Sequence, residues 1–416
     1  MSIGFKVLIL CFILLAQTTL LCAQVPTRSL DYFLQEATKY NPTIKDFNNQ
    51  QQALKIDSLL LLASRKPQVT GNVAGLYAPI VNGYGFDEVM TNGQSLEALL
   101  NINYELLNNK RMANQLQAIN LQRDSIKYAG TLSVYDLNKS ITEQYITVYA
   151  SQQEVAFNLE IEALLKQEET LLKQLTRNNV YKQSEYLTFL VSLKQQELTL
   201  KQAENQYKND YATLNYLVGI TDTILIQLAE PQLNTNNTLF GGNFFTRRFD
   251  IDSLKNVNQR TAIDLNYRPK LGVYANGGYS SSFTLQPYKN FGASVGLTLS
   301  VPIYDGHQKK MQYDKLVLTS LTAGYYKDFF IRQQHQQLTM ISNQILASNE
   351  LFGKINEQIK LAKGLMDVDL KLMPTGDVKV TDFIIAINNY MAIENVRRQT
   401  NINRLRLINQ FNYWNR

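Results

Sequence analysis

Cysteine and histidine are nearly missing from this sequence, with two of each in 416 residues. So few thiol and imidazole ligands exclude a structural zinc cluster, and two cysteines cannot build a disulfide scaffold. Charged side chains are also sparse, at 18%. The net charge of +6 is dispersed, without the basic block that marks a nucleic-acid footprint, so no nucleic-acid partner is expected. Apolar residues, at 45%, are frequent enough to bury a core and to exclude a disordered chain.

The groups of an active site are missing as well. His307 stands in a turn after an apolar run, and His335 lies among glutamines, each without partners for catalysis. Asn276-Gly277-Gly278 falls inside a strand pattern and lacks the lysine of a nucleotide-binding loop. No nucleophile, base and orienting group stand out as a set. The expectation is a non-enzyme without metal or cofactor; a lyase or peptidase is disfavoured.

Long apolar runs are absent except at the start. Lys6 is followed by VLILCFILLA from Val7 to Ala16, so residues 1–23 read as a secretory signal cut after Ala23. Cys11 and Cys22 both lie in this segment, leaving the mature chain without cysteine. Leu21 stands where a lipoprotein site needs a small residue, which disfavours acylation of Cys22. A retained anchor is disfavoured by the shortness of the run. No later run is long enough for a helical span. What remains is an exported protein, or one that meets a membrane through β-strands.

The second half of the chain repeats the first at an offset of about 200 residues. Asn215-Tyr216-Leu217 falls on Asn412-Tyr413-Trp414, and Ser184-Glu185-Tyr186 on Thr381-Asp382-Phe383. Lys182 meets Lys379, and Leu100–Lys110 meets Leu297–His307. Further upstream Pro67, Gly75 and Tyr77 meet Pro269, Gly277 and Tyr279, while Asn41 and Phe47 meet Asn243 and Phe249. Two helical stretches could share a pattern by chance. Proline, glycine and tyrosine in register through strands as well indicate duplication. The first repeat spans 24–220, a linker rich in Asn and Thr spans 221–242, and the second repeat spans 243–416.

Each repeat reads as helix, two strands, one very long helix and another helix. The long helices are expected at about 110–177 and 306–372, neither containing an internal proline. Val134, Leu137, Ile141, Tyr145 and Val148 follow the spacing of a packed helical seam. At 1.5 Å per residue each would be roughly 100 Å long. The shorter segments, about 43–65 with 184–217 and 244–267 with 381–414, would together cover most of one long helix in each repeat. A coiled-coil arm is one reading of such rods.

Strands are expected at about 67–78, 95–107, 269–284 and 290–304. Leu297, Leu299, Val301 and Ile303 alternate with Thr298 and Ser300; Leu100 and Ile102 alternate with Asn101 and Asn103. One apolar and one polar face suits a half-buried sheet on a soluble core, or a barrel wall with lipid outside and water inside. Each segment is about the length that crosses a bilayer at a tilt. Tyr77, Tyr84, Phe86, Tyr279, Phe283, Tyr288 and Phe291 cluster near the connecting loops, as an interfacial aromatic belt would. Four strands cannot close a barrel, and open edges do not survive in lipid, so a spanning sheet requires several chains.

With these features the sequence resembles the TolC family of outer-membrane efflux proteins over nearly the whole mature chain. The resemblance is carried by the duplication, Asn41-Pro42, a proline opening each first strand, VPIYDGHQKK from Val301 and YLVGI from Tyr216. It departs at Asn108-Asn109, where the second repeat has Asp305-Gly306, at Asn179 opposite Gly376, and at Asn243-Phe244. The family implies a mixed, mostly α fold. Its duplicated helix–β-hairpin–long helix–helix unit would form a homotrimer with a shared twelve-stranded membrane β-barrel, four strands per chain, continued by a long α-helical periplasmic tunnel. It further implies a passive exit duct in the outer membrane of a Gram-negative bacterium, working with a periplasmic adaptor and an inner-membrane pump. The linker would be an equatorial band around the tunnel.

Mapped from the family, a periplasmic constriction falls on Asp382, with Ser184, Glu185, Thr381 and Lys379 around the matching helix starts. Ile385 stands where many members carry a second acid, and Val378 where some carry an arginine. Leu297, Leu299, Val301, Ile303, Leu100 and Ile102 would face lipid. For Asp382 and Glu185 a second reading is helix capping, since an acid in the first turn stabilises the positive helix end. The alternative function is a periplasmic adaptor of the membrane-fusion type, a coiled-coil scaffold. Such a chain would show one helical hairpin beside β-rich domains.

Overall fold

The computed structural model describes residues 27–91, 93–106, 109–222, 224–235, 244–282 and 287–416. The signal segment with Cys22, together with Asn108, Asn243, Phe283 and the later part of the linker, lies outside the described residues.

The described elements follow the duplicated order. Helices α1 (Leu30–Tyr40) and α2 (Pro42–Ser64) lead to strand β1 (Gln68–Tyr77), a one-turn helix α3 (Glu88–Thr91) and strand β2 (Gln94–Glu105). Then come the long helix α4 (Asn109–Arg177) and helix α5 (Gln183–Val218). The second repeat gives α6 (Arg247–Asn266), β3 (Lys270–Ser281), β4 (Phe291–Ser300), the long helix α7 (Gln308–Leu372) and α8 (Val380–Trp414). Among the described residues no helix is long and apolar enough to cross a membrane.

Asn41-Pro42 divides two helices rather than opening the first. Ser29 caps α1 by accepting from the Tyr32 N–H at 3.4 Å. At its end Asn41 turns to extended backbone, ψ 121°, the conformation that a following proline imposes. Pro42 then opens α2, where a missing N–H costs nothing, and Asn41 Oδ1 accepts from Thr43 N–H at 2.8 Å.

The chain divides into two compact units, each drawing on both repeats. One holds residues up to Ile44, Leu132–Gly242 and Gln333–Arg416; the other holds Lys45–Thr131 and Asn243–Arg332. In the first unit Phe33, fully buried, meets Tyr145 and Tyr211 edge-on at 5.8 and 6.5 Å. Ile141, Val148, Leu214 and Leu228 complete that core. Leu228 belongs to the linker, which pairs with the start of the chain: Arg28 N–H donates to Gln227 O and Ala229 N–H to Arg28 O. The Tyr145 hydroxyl sits between the carbonyls of Ala229, at 2.6 Å, and Arg28, at 3.0 Å. Burial pushes that phenol well above its ordinary range.

In the second unit the four strands form one antiparallel sheet in the order β1-β2-β3-β4. The register places Val69, Ile102, Ala275 and Val295 in one cross-strand row. Because side chains alternate, Leu100, Leu297 and Leu299 share the face of that row, while Thr70, Asn101, Asn276 and Ser294 share the other. The apolar face is bare. Val73 is 78% exposed, Val295 78%, Leu297 71% and Leu299 67%. Gly296 leaves room for the Tyr274 ring, which a Cβ there would strike.

Two expected strand residues fall outside the sheet. β4 ends at Ser300, paired with Lys270, so Val301 and Ile303 lie in the segment beyond it. Pro302 has no N–H for the ladder, and Pro269 marks the start of the partner strand. From there Asp305 accepts from Lys309 N–H at 2.7 Å, and Gly306 and His307 take positive φ to turn the chain into α7. The Tyr267 hydroxyl bonds Asp305 and holds its carboxyl below the ordinary range. Helix α6 is tied to both long helices, to α4 through Asn114 on Asn258 and to α7 through Lys327 on Asp250.

Tyr145→Phe removes the hydroxyl between the linker and the chain start. The expected outcome is a loss of about 1–2 kcal/mol, read as a lower midpoint in thermal unfolding.

Candidate functional site

The two helix-to-helix turns that should carry the constriction lie together in the first unit. The α4–α5 turn passes through Asn179 at φ 61°, and the α7–α8 turn through Gly376 at φ 78°. Asparagine tolerates the left-handed region better than most residues, so the departure from glycine preserves the turn. Both turns then reach a lysine N-cap with nearly the same backbone, Lys182 at φ −77°, ψ 149° and Lys379 at φ −77°, ψ 143°. The duplication is thus repeated in the backbone.

The turns interlock. A Cβ on Gly376 would meet Val180 Cγ1 at 2.8 Å, so the close approach of Val180 needs glycine there as well as the positive φ. The Tyr181 side chain is buried, with its hydroxyl 2.7 Å from Val378 O and 3.0 Å from Met373 O. One side chain of the first repeat therefore binds both ends of the second repeat's turn. Beneath it Phe189 and Phe383 stack at 6.4 Å, and Leu172, Met373 and Val380 are fully buried around them. The four helices α4, α5, α7 and α8 share this core.

The expected site residues sit on its rim. Ser184, Thr381, Asp382 and Lys379 are exposed, and Glu185 is half-buried. Glu185 is a helix cap: its carboxylate accepts from the Lys182 N–H at 3.1 Å. Asp382 holds the matching place on a side chain one methylene shorter, and among the described residues its carboxylate has no hydrogen-bond partner. One turn on, Ile385 is 58% exposed, which puts an apolar side chain beside the acid.

Sequence reasoning missed Asp369. It is buried in α7, along the stripe of Met366 and Met373. Burial pushes its carboxyl above the ordinary range, and the negative charge of Asp382 adds to the shift. Glu168, also buried, occupies the equivalent kind of place on α4 between Leu165 and Leu172. One of its carboxylate oxygens lacks a partner, and burial raises its pKa too. An acid at 3–4 spacing inside an apolar stripe is the signal that could have found both.

No sequence-family profile matches this chain, and no curated protein matches it by sequence. Solved structures do match. A membrane protein from Pseudomonas aeruginosa superposes with a TM-score of 0.73 at 13% identity, over 92% of this chain and 90% of that one. The outer membrane protein VceC from Vibrio cholerae gives 0.73 at 13% identity, over 93% of this chain and 95% of that one. The CmeC outer membrane channel of Campylobacter jejuni gives 0.70 at 13% identity, over 92% and 85%. This chain has the fold of the TolC-like outer-membrane channels, mostly helical with a four-stranded antiparallel sheet.

Asp369 binds a proton more tightly in the folded chain than in the unfolded one. Its contribution to stability therefore falls as pH rises from about 4 towards 7. Asp369→Asn is expected to raise the thermal midpoint at neutral pH and to flatten its pH dependence. Unfolding curves across that range check this.

Proposed function

We propose that this chain is a passive outer-membrane exit duct of a tripartite efflux or secretion system. The observation that carries the reading is the bare apolar face of an open four-stranded sheet. A soluble protein covers such a face or makes it polar. Placed in a bilayer, the same face meets lipid, and the Thr, Asn and Ser of the other face meet water.

The fold likeness to outer-membrane channels supports the same reading. In it three copies close one barrel, the β4 edge of each pairing with the β1 edge of the next. The strands lie in the outer membrane of a Gram-negative bacterium and most of the chain lies in the periplasm. The partners are a periplasmic adaptor and an inner-membrane pump, and the linker forms the band around the helical tunnel. An adaptor scaffold has no use for a lipid-facing sheet.

The gate belongs at the interlocked helix turns. Repeated by threefold symmetry, Asp382 forms a ring of carboxylates that favours cations, with Ile385 forming an apolar ring one turn deeper. Thr381, Lys379, Ser184 and Glu185 line its rim. Asp382 is suited to this role because its carboxylate is exposed and unengaged, whereas Glu185 is held by its helix.

Single-channel recording in planar bilayers tests the reading. Wild-type protein should insert and give small, cation-selective conductances, and Asp382→Ala should lower that selectivity and raise the conductance several-fold. Failure of wild-type protein to conduct under any condition would overturn it.

A further inference from the structure

The base of the sheet, where strands join helices, is ringed by cations. Arg65-Lys66 precede β1, Lys110-Arg111 follow β2, Arg268 precedes β3 and Lys309-Lys310 follow β4. The opposite ends differ: residues 78–91, after β1, hold no lysine or arginine, and only Lys289 stands between β3 and β4. This asymmetry runs along the strand direction and is independent of the helix turns.

Part of the ring lines a cavity of about 390 Å³, bounded by Leu106, Leu265, Pro269, Lys110, Arg111 and Arg268. Leu106 and Pro269 share the parity of Ile102 and Leu271, so the cavity continues the apolar face of the sheet. The Leu106 N–H donates to Leu271 O at 2.8 Å, extending the ladder to the cavity floor. Arg111 is already engaged by Glu105 and the Leu265 carbonyl, which fixes one wall. Lys110 and Arg268 are exposed and have no acidic partner among the described residues. An apolar track thus ends in a pocket with two uncommitted cations and one anchored arginine.

We propose that this pocket binds the headgroup of an anionic phospholipid. The phosphate lies between Lys110 and Arg268, and an acyl chain runs up the apolar face past Ile102 and Leu271. The inference rests on the membrane reading above and adds to it a lipid class and a site. The phosphodiester supplies the charge, and the bare apolar face supplies what a free anion could not use. Occupied pockets would set the depth of each chain in the leaflet next to the helices.

The test uses full-length protein in vesicles of phosphatidylcholine alone or mixed with phosphatidylglycerol, with retained lipid measured by mass spectrometry after detergent extraction. Phosphatidylglycerol should be retained over phosphatidylcholine by roughly tenfold, and the double variant K110Q/R268Q should bring the ratio close to one. The charge-keeping variant K110R/R268K should preserve it, and high salt should erase it in the wild type. Equal retention of both lipids by the wild type, or an unchanged ratio in K110Q/R268Q, overturns the proposal. Loss of the phosphatidylglycerol excess on adding inorganic phosphate at the lipid's concentration overturns a lipid as the source of the anion. Carbonate washing separates the two levels. Protein that stays in the vesicles without headgroup preference overturns the lipid site alone, while protein that washes off overturns the membrane reading with it.

Discussion

Backbone amides and carbonyls need partners wherever water is excluded, and in the proposed membrane setting this single requirement governs the sheet. β1 and β4 are the outer strands of a four-stranded sheet, each with one row of unpaired backbone groups. In water those rows would be solvated at little cost. In hydrocarbon each unpaired group costs several kcal/mol, so an edge of ten residues could not persist. The side chains nevertheless present lipid with what it accepts, a face of Val, Leu and Ile without a charge. In the proposed channel, pairing between copies reconciles edges that lipid forbids with a face that lipid favours.

The helical part meets a different demand. Long helices gain little from propensity alone and are held by packing along an apolar stripe. Here the stripe reaches the turns, where Tyr181 of one repeat binds the carbonyls of the other. Gly376 lets the turns approach so closely that a Cβ would strike Val180. The buried acids Asp369 and Glu168 run against this packing, since burial disfavours their charged forms. A seam with such acids is less stable at neutral pH than an all-apolar one. In the proposed channel, this weaker seam lies where the helices would separate to open the passage.

Much of this was legible in the sequence because two periods dominate it. Alternation along Leu297, Leu299 and Leu100, Ile102 reads directly as strand, and the 3–4 spacing through Ile141, Tyr145 and Val148 reads as helix. Duplication then placed each turn by reference to the other, and Lys182 and Lys379 do share one backbone conformation. The errors have local causes. Val301 and Ile303 continue the alternation past Pro302, but pairing ends where the partner strand begins. Asn41-Pro42 divides two helices, a role that a proline after a capped helix can take as well as opening one. Asp369 escapes notice because an acid usually marks a solvated helix face, and only its 3–4 spacing with Met366 and Met373 places it on the buried stripe. For Glu185 only the bond from Lys182 N–H separates a cap from a free acid, and spacing does not report that bond.

Everything proposed for the membrane part requires the four-stranded sheet to be one part of a barrel shared between copies. The native mass of the complex extracted with detergent from the outer-membrane fraction tests this directly. After subtraction of bound detergent the mass should correspond to three chains. A monomer released without detergent would leave both sheet edges unpaired and would contradict the shared barrel.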